Sequence, residues 1–150
     1  MQTVTRDMLR YVRNDCKGQD GHSLDVLNSG LKSVNAANGA TGVDKGRLLL
    51  ARAEVHFDRG QWGHCLDSAA EARAAAGWPE SKDSLAISSE AFSMGTRALL
   101  ASGRTQAAHQ LAQEAEELMG GAASEMGITG SAGVAAAGSL VGLALHAAGD

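Results

Sequence analysis

A spacing of small residues after a turn glycine, met twice in the same register, constrains this chain more than any other feature. After Gly60, small side chains stand five, nine and twelve residues on, at Cys65, Ala69 and Ala72; after Gly103 the same offsets hold Ala108, Ala112 and Ala115. Such offsets gather the small residues on one face of a helix, because positions three or four apart are neighbours on a helical surface. Each glycine also follows an apolar-periodic segment, HFDRGQ in one case and LLASGR in the other. The unit is therefore an outgoing helix, a tight turn and a returning helix. Gly60 and Gly103 lie 43 residues apart, and Gly149 follows Gly103 after 46. Recurrence at such a period marks stacked supersecondary units rather than a single irregular fold.

The rest of the chain reads as helix under the same rules. One proline and 3% aromatic residues favour closely packed helices over a β-sandwich. Helices are predicted over 2–16, 22–34, 45–58, 62–76, 84–101 and 105–119, with a seventh over 131–148. Leu24, Leu27, Leu31 and Val34 form a stripe of helical period in the second. Asp44 is the predicted N-cap of the 45–58 helix, Gly77 suits the end of the 62–76 helix, and Pro79 blocks its continuation. The glycine-rich GGAASEMGITG, 120–130, reads as a connector. LHAAGD then stands where HFDRGQ and LLASGR stand, at a turn whose returning helix is missing. The expectation is either a fragment of a longer chain or a terminal helix left unpaired. The first unit fits the register more loosely, since Gly18 lies 42 residues before Gly60 but follows the polar Arg13, Asn14 and Asp15.

These units resemble tetratricopeptide repeats, in particular the longer-period repeats of kinesin light chains. The likeness rests on Ala53, Gly60, Trp62, Cys65, Ala69 and Ala72 in one unit and on Gly103, Ala108, Ala112 and Ala115 in the next. It covers 45–149 and, more weakly, 2–36. Thr105 replaces the aromatic expected after Gly103, and Ala53 and Thr96 stand where the family carries glycine in the outgoing helix. The resemblance implies one all-α domain over 1–150, with hairpins at 2–36, 45–76 and 84–119 and a terminal helix at 131–148. These would stack as antiparallel helix-turn-helix repeats in a short right-handed α-solenoid of about seven helices. It further implies binding rather than catalysis: an adaptor or non-catalytic scaffold subunit of a larger complex, taking a peptide or helix in a concave groove. Counting back from each turn glycine, the implied groove positions are Arg47, Leu50, Glu54, Phe57 and Asp58, then Glu90, Ser93, Arg97, Leu100 and Ala101. Leu50 and Ser93 occupy places where a clamp for chaperone tails would need Lys and Asn, which speaks against that ligand.

Charge and chemistry narrow the classes further. Thirteen Lys and Arg against seventeen Asp and Glu give a net charge of −4, so no nucleic-acid partner is expected. Cys16 and Cys65 make neither a disulfide framework nor a CxxC site, which favours a reducing, cytoplasmic setting. Val4, Met8 and Val12 share one face of the first helix while Arg6, Arg10, Arg13 and Lys17 share another. That pattern resembles an organellar transit helix, the alternative location, although Asp7 and Asp15 count against it. Without interleaved aromatics the basic stripe reads as a solvated face rather than a lipid or RNA contact.

No cofactor or metal site is expected. His56, His64 and Cys65 lack a ligand spacing of known type, and His22, His109 and His146 are scattered without acidic companions. The Lys of GATGVDKG is followed by Gly46 instead of Ser or Thr, and no strand precedes it, so this stretch is a connector and not a phosphate loop. A small helical enzyme is accordingly the most distant reading. The segment 131–148 carries no formal charge and contains Gly138 and Gly142 in GxxxG spacing. It supports an alternative function, a membrane-associated assembly factor anchored there. Its apolarity is largely alanine and glycine and no Lys or Arg flanks it, so burial in the stack is the preferred expectation, with self-association through this helix as a further alternative.

Overall fold

Local capping chemistry sets where the helices begin and end. The computed structural model describes residues 2–14, 20–36, 41–79 and 81–125. Among them the chain forms six helices and no strand: α1 (Gln2–Asn14), α2 (Asp20–Ala36), α3 (Gly42–Asp58), α4 (Trp62–Ala76), α5 (Lys82–Ala101) and α6 (Thr105–Glu125). The helix expected over 131–148 lies outside the described residues. α3 starts earlier than predicted because Thr41, and not Asp44, is its N-cap. The Thr41 hydroxyl accepts from the Asp44 backbone N–H at 3.2 Å and donates to the Asp44 carboxylate at 3.0 Å. Asp44 therefore sits in the first turn, where a carboxylate also suits the helix dipole. α5 begins with a capping box in which Ser81 and Ser84 each accept from the other's backbone N–H.

The two turns anticipated from the repeat share one hydrogen-bond pattern. Gly60 N–H donates to the Phe57 carbonyl at 3.0 Å and Gln61 N–H to that of His56 at 2.8 Å; Gly103 donates to Leu100 and Arg104 to Leu99 at the same two distances. Both glycines hold positive φ, 71° at Gly60 and 81° at Gly103, a region that a Cβ disfavours. Behind the turns, Cys65, Ala69 and Ala72 on α4 and Ala108, Ala112 and Ala115 on α6 are all buried. The two turns thus match in hydrogen bonding, in glycine conformation and in the burial of the small residues that follow them.

Each helix packs on the next along the chain, and α3 packs in addition on both α1 and α5. Among the described residues the even-numbered helices make no comparable contact with one another. Leu27, Leu48, Leu49, Ala53, Cys65, Ala72 and Ile87 centre the main core, while Leu85, Phe92, Ala112, Ala115, Met119 and Ala122 form a second cluster between α5 and α6. That second cluster carries α6 beyond its predicted end at 119, through Gly120 and Gly121 to Glu125. Burial of Met119 and Ala122 outweighs the poor helix propensity of the two glycines, so 120–125 is helix and not connector. α3 and α4 approach closely enough that a Cβ on Gly42 would overlap the Ala75 carbonyl oxygen. Arg52 of α3 ties three helices: its guanidinium donates to Ser68 at 3.0 Å and Glu71 at 2.8 Å on α4, and to Asn28 at 3.3 Å on α2.

Candidate functional site

Because α1 and α5 both rest on α3 without packing on one another, the odd-numbered helices leave a cleft above α3. Its volume is about 550 Å³. Arg6, Leu9, Arg10 and Arg13 of α1 form one wall, Arg47 and Leu50 of α3 the base, and Asp83, Ala86, Ile87 and Glu90 of α5 the other wall. Leu9, Leu50 and Ile87 are buried, so the floor is aliphatic and the rims are charged. Arg6, Arg10 and Arg13 follow one another at helical spacing, with rises of about 6 and 4.5 Å along the axis. Their side chains are exposed, and none forms an ion pair among the described residues. Arg47 is held across the base by Asp83 of α5, at 3.3 Å.

Four guanidinium groups thus face two carboxylates in a chain whose net charge is −4. Guanidinium groups recognise carboxylate or phosphate through paired N–H donors, and an aliphatic floor accepts apolar side chains. The wall built from α1 is what sequence reasoning missed. The basic stripe was visible, but its position beside Leu50 and Ile87 depends on the packing of α1 on α3, which periodicity does not encode. Of the groove positions named from sequence, Arg47, Leu50 and Glu90 line the cleft.

The remaining groove positions lie further along α3 and α5 toward the turns. There the Arg97 guanidinium lies 4.7 Å from the centre of the Phe57 ring, which meets Trp62 edge-on at 5.2 Å. Glu54, Asp58 and Ala101 are exposed, while Ser93 and Leu100 are half-buried. Phe57, Trp62 and Arg97 therefore close the turn end of the α3–α4 hairpin against α5. Of the packing positions, Ala53, Cys65, Ala69, Ala108 and Ala112 are buried, and Trp62 is half-buried beside Gly60.

The candidate ligating and nucleophilic groups stand elsewhere. Burial pushes the Cys65 thiol up to about 11, with the Arg97 charge acting more weakly in the opposite sense. His56 and His64 come together across the α3–α4 turn, ring centres 5.1 Å apart, and His56 Nδ1 lies 2.7 Å from the Gln61 side-chain oxygen. Cys65 points into the core instead of toward them. Among the described residues no group of three or more His, Cys, Asp or Glu side chains is placed to hold a metal ion. Nor is any described helix long and apolar enough to cross a membrane, and the segment 131–148 lies outside that description.

Comparison of the chain with protein-family models, with curated proteins and with solved structures returns no match.

Proposed function

We propose that this chain is a short α-solenoid of the tetratricopeptide kind and works as a non-catalytic adaptor or scaffold subunit. In this reading α1, α3 and α5 are the outgoing helices of successive units, and the cleft above α3 is part of the concave surface on which a peptide or helix of another protein docks. The observation that carries it is the joint packing of α1 and α5 on α3, with a cleft of aliphatic floor and charged rims between them. The matching turns at Gly60 and Gly103 support this reading, because they close the α3–α4 and α5–α6 hairpins with the same hydrogen bonds. The cleft lining offers guanidinium and aliphatic groups, which suit recognition better than bond-making chemistry.

Ala86 gives a direct test, since it lines the cleft yet is exposed, and a larger side chain there fills the cleft without entering the core. Proteins retained by the immobilised wild-type chain are identified and their binding is re-measured on Ala86→Trp. Loss of a partner from a variant with an unchanged thermal melt supports the reading. Retention of every partner by that variant defeats it.

A further inference from the structure

We infer that the cleft receives an acidic amphipathic helix from a partner protein, its carboxylates on Arg6, Arg10 and Arg13 and its apolar side chains on Leu9, Leu50 and Ile87. This rests on the docking-groove reading above and names the chemistry of the partner. Charge is the first ground. The α1 wall presents three guanidinium groups with no ion-pair partner among the described residues, in a protein that is acidic as a whole. A carboxylate-bearing segment meets both requirements: it is attracted locally, and it brings the guanidinium groups the paired acceptors they lack.

Register is the second ground. The three arginines rise by about 6 and then 4.5 Å along α1. A helix lying antiparallel to α1 presents acids at i, i+3 and i+7 with the same two steps. An extended chain sets its same-face side chains at a constant step of roughly 6.6 Å and drifts out of register over three contacts. The opposite wall fixes the remaining edge of the ligand. Asp83 is engaged by Arg47, whereas Glu90 has no ion pair among the described residues and so selects a Lys or Arg on the far edge of the helix.

Two other macromolecules fit less well. A nucleic acid would have to tolerate Asp83 and Glu90 in the same cleft and would find no aromatic ring there on which to stack a base. A lipid surface is flat, whereas the arginines flank a concavity whose aliphatic floor lies between two helices.

The test uses the full 150-residue chain and four synthetic peptides of equal length. One is an amphipathic helix with a Glu edge, one carries Gln in place of Glu, one keeps the Glu but has a central proline that breaks the helix, and one is a helix with a Lys edge. Binding is read by fluorescence anisotropy and by the methyl resonances of Leu50 and Ile87. The Glu peptide is expected to bind and to shift both methyl groups, with the Gln and proline peptides weaker by roughly tenfold or more. Arg10→Glu with Arg13→Glu should lose the Glu peptide and gain one with a Lys edge. Both sites are exposed, and the milder Arg10→Gln, Arg13→Gln pair with its melt guards against misfolding. Equal binding of the Glu and Gln peptides, or indifference to charge reversal, overturns the proposal. Equal binding of the proline peptide overturns the helical ligand. Tighter arginine-dependent binding of phosphatidylserine vesicles or of an RNA oligonucleotide overturns the protein ligand. Self-association abolished by the same variants overturns the separate partner in favour of a second copy. Methyl shifts produced alike by peptides of any charge leave the groove standing and remove only the acidic specificity; no shift with any peptide removes both.

Discussion

Replacement of Gly42 by alanine probes the close approach of α3 and α4. In a helix, glycine to alanine ordinarily stabilises by roughly 0.5–1 kcal/mol, because the unfolded chain loses freedom and the helix gains propensity. At Gly42, however, the new methyl group overlaps the Ala75 carbonyl oxygen, and backbone cannot rotate away as a side chain tip can. The start of α3 and the end of α4 must separate, an overpacking strain of about 1–3 kcal/mol. The strain exceeds the gain, and the net expectation is a loss of about 1–2 kcal/mol. For a chain of this size that is a fall in melting temperature of roughly 3–6 °C. Gly120 supplies the control, since it is also helical but a methyl group there meets nothing within 4 Å. Gly120→Ala should therefore raise the melting temperature by about 2–3 °C. Both variants are compared with wild type by calorimetry. A Gly42→Ala protein that melts at or above wild type, while Gly120→Ala behaves as stated, would refute the close approach of α3 and α4.

Three further outcomes are expected. Ala108→Arg forces a long cation into a fully buried position between α5 and α6 and should cost at least about 4 kcal/mol; a cooperative melt matching wild type would contradict it. Arg52→Met should lose about 2 kcal/mol, with a coupling of about 1 kcal/mol to Ser68→Ala in a double-mutant cycle, because Ser68 is buried and accepts from Arg52; additive single effects would show that the bond contributes nothing. The raised Cys65 thiol binds its proton more tightly in the folded state than in the unfolded one, whose value is 9.0. Its contribution is thus intact below pH 9 and is lost as pH rises through about 11. Urea titrations of wild type and Cys65→Ala across that range check it: the variant should lose less stability with pH, and equal slopes would be inconsistent with the shift.

Local punctuation explains which parts of the fold could be read from sequence. The bounds of α4 came out as anticipated because Gly60 on one side and Gly77 with Pro79 on the other leave the helix no alternative limits. At α3, two oxygen-bearing residues three apart, Thr41 and Asp44, both look like caps. Only their mutual hydrogen bonds show that Thr41 caps and Asp44 follows within the first turn. At α6 the Gly120–Gly121 pair reads as a break, yet contact of Met119 and Ala122 with the Leu85 and Phe92 cluster keeps the helix going. The candidate site was legible in part for the same reason. Arg47 and Glu90 follow from counting back from the turn glycines, whereas Arg6, Arg10 and Arg13 enter only through the angle at which α1 meets α3. No local pattern carries that angle.

Among the described residues, packing is restricted to helices adjacent or next-but-one along the chain, which also governs how this part of the molecule forms and opens. Contacts close over short stretches of sequence, so little loop entropy must be spent before the first favourable burial, and formation should be rapid for a chain of this length. The α3–α4 hairpin holds the centre of the main core, and α2 and α5 pack on either side of it. Among the described residues α6 packs on α5 alone. Its amides can therefore exchange with solvent through a local opening that leaves the α1–α3 contact intact, and the cleft can persist while the far end of the molecule breathes.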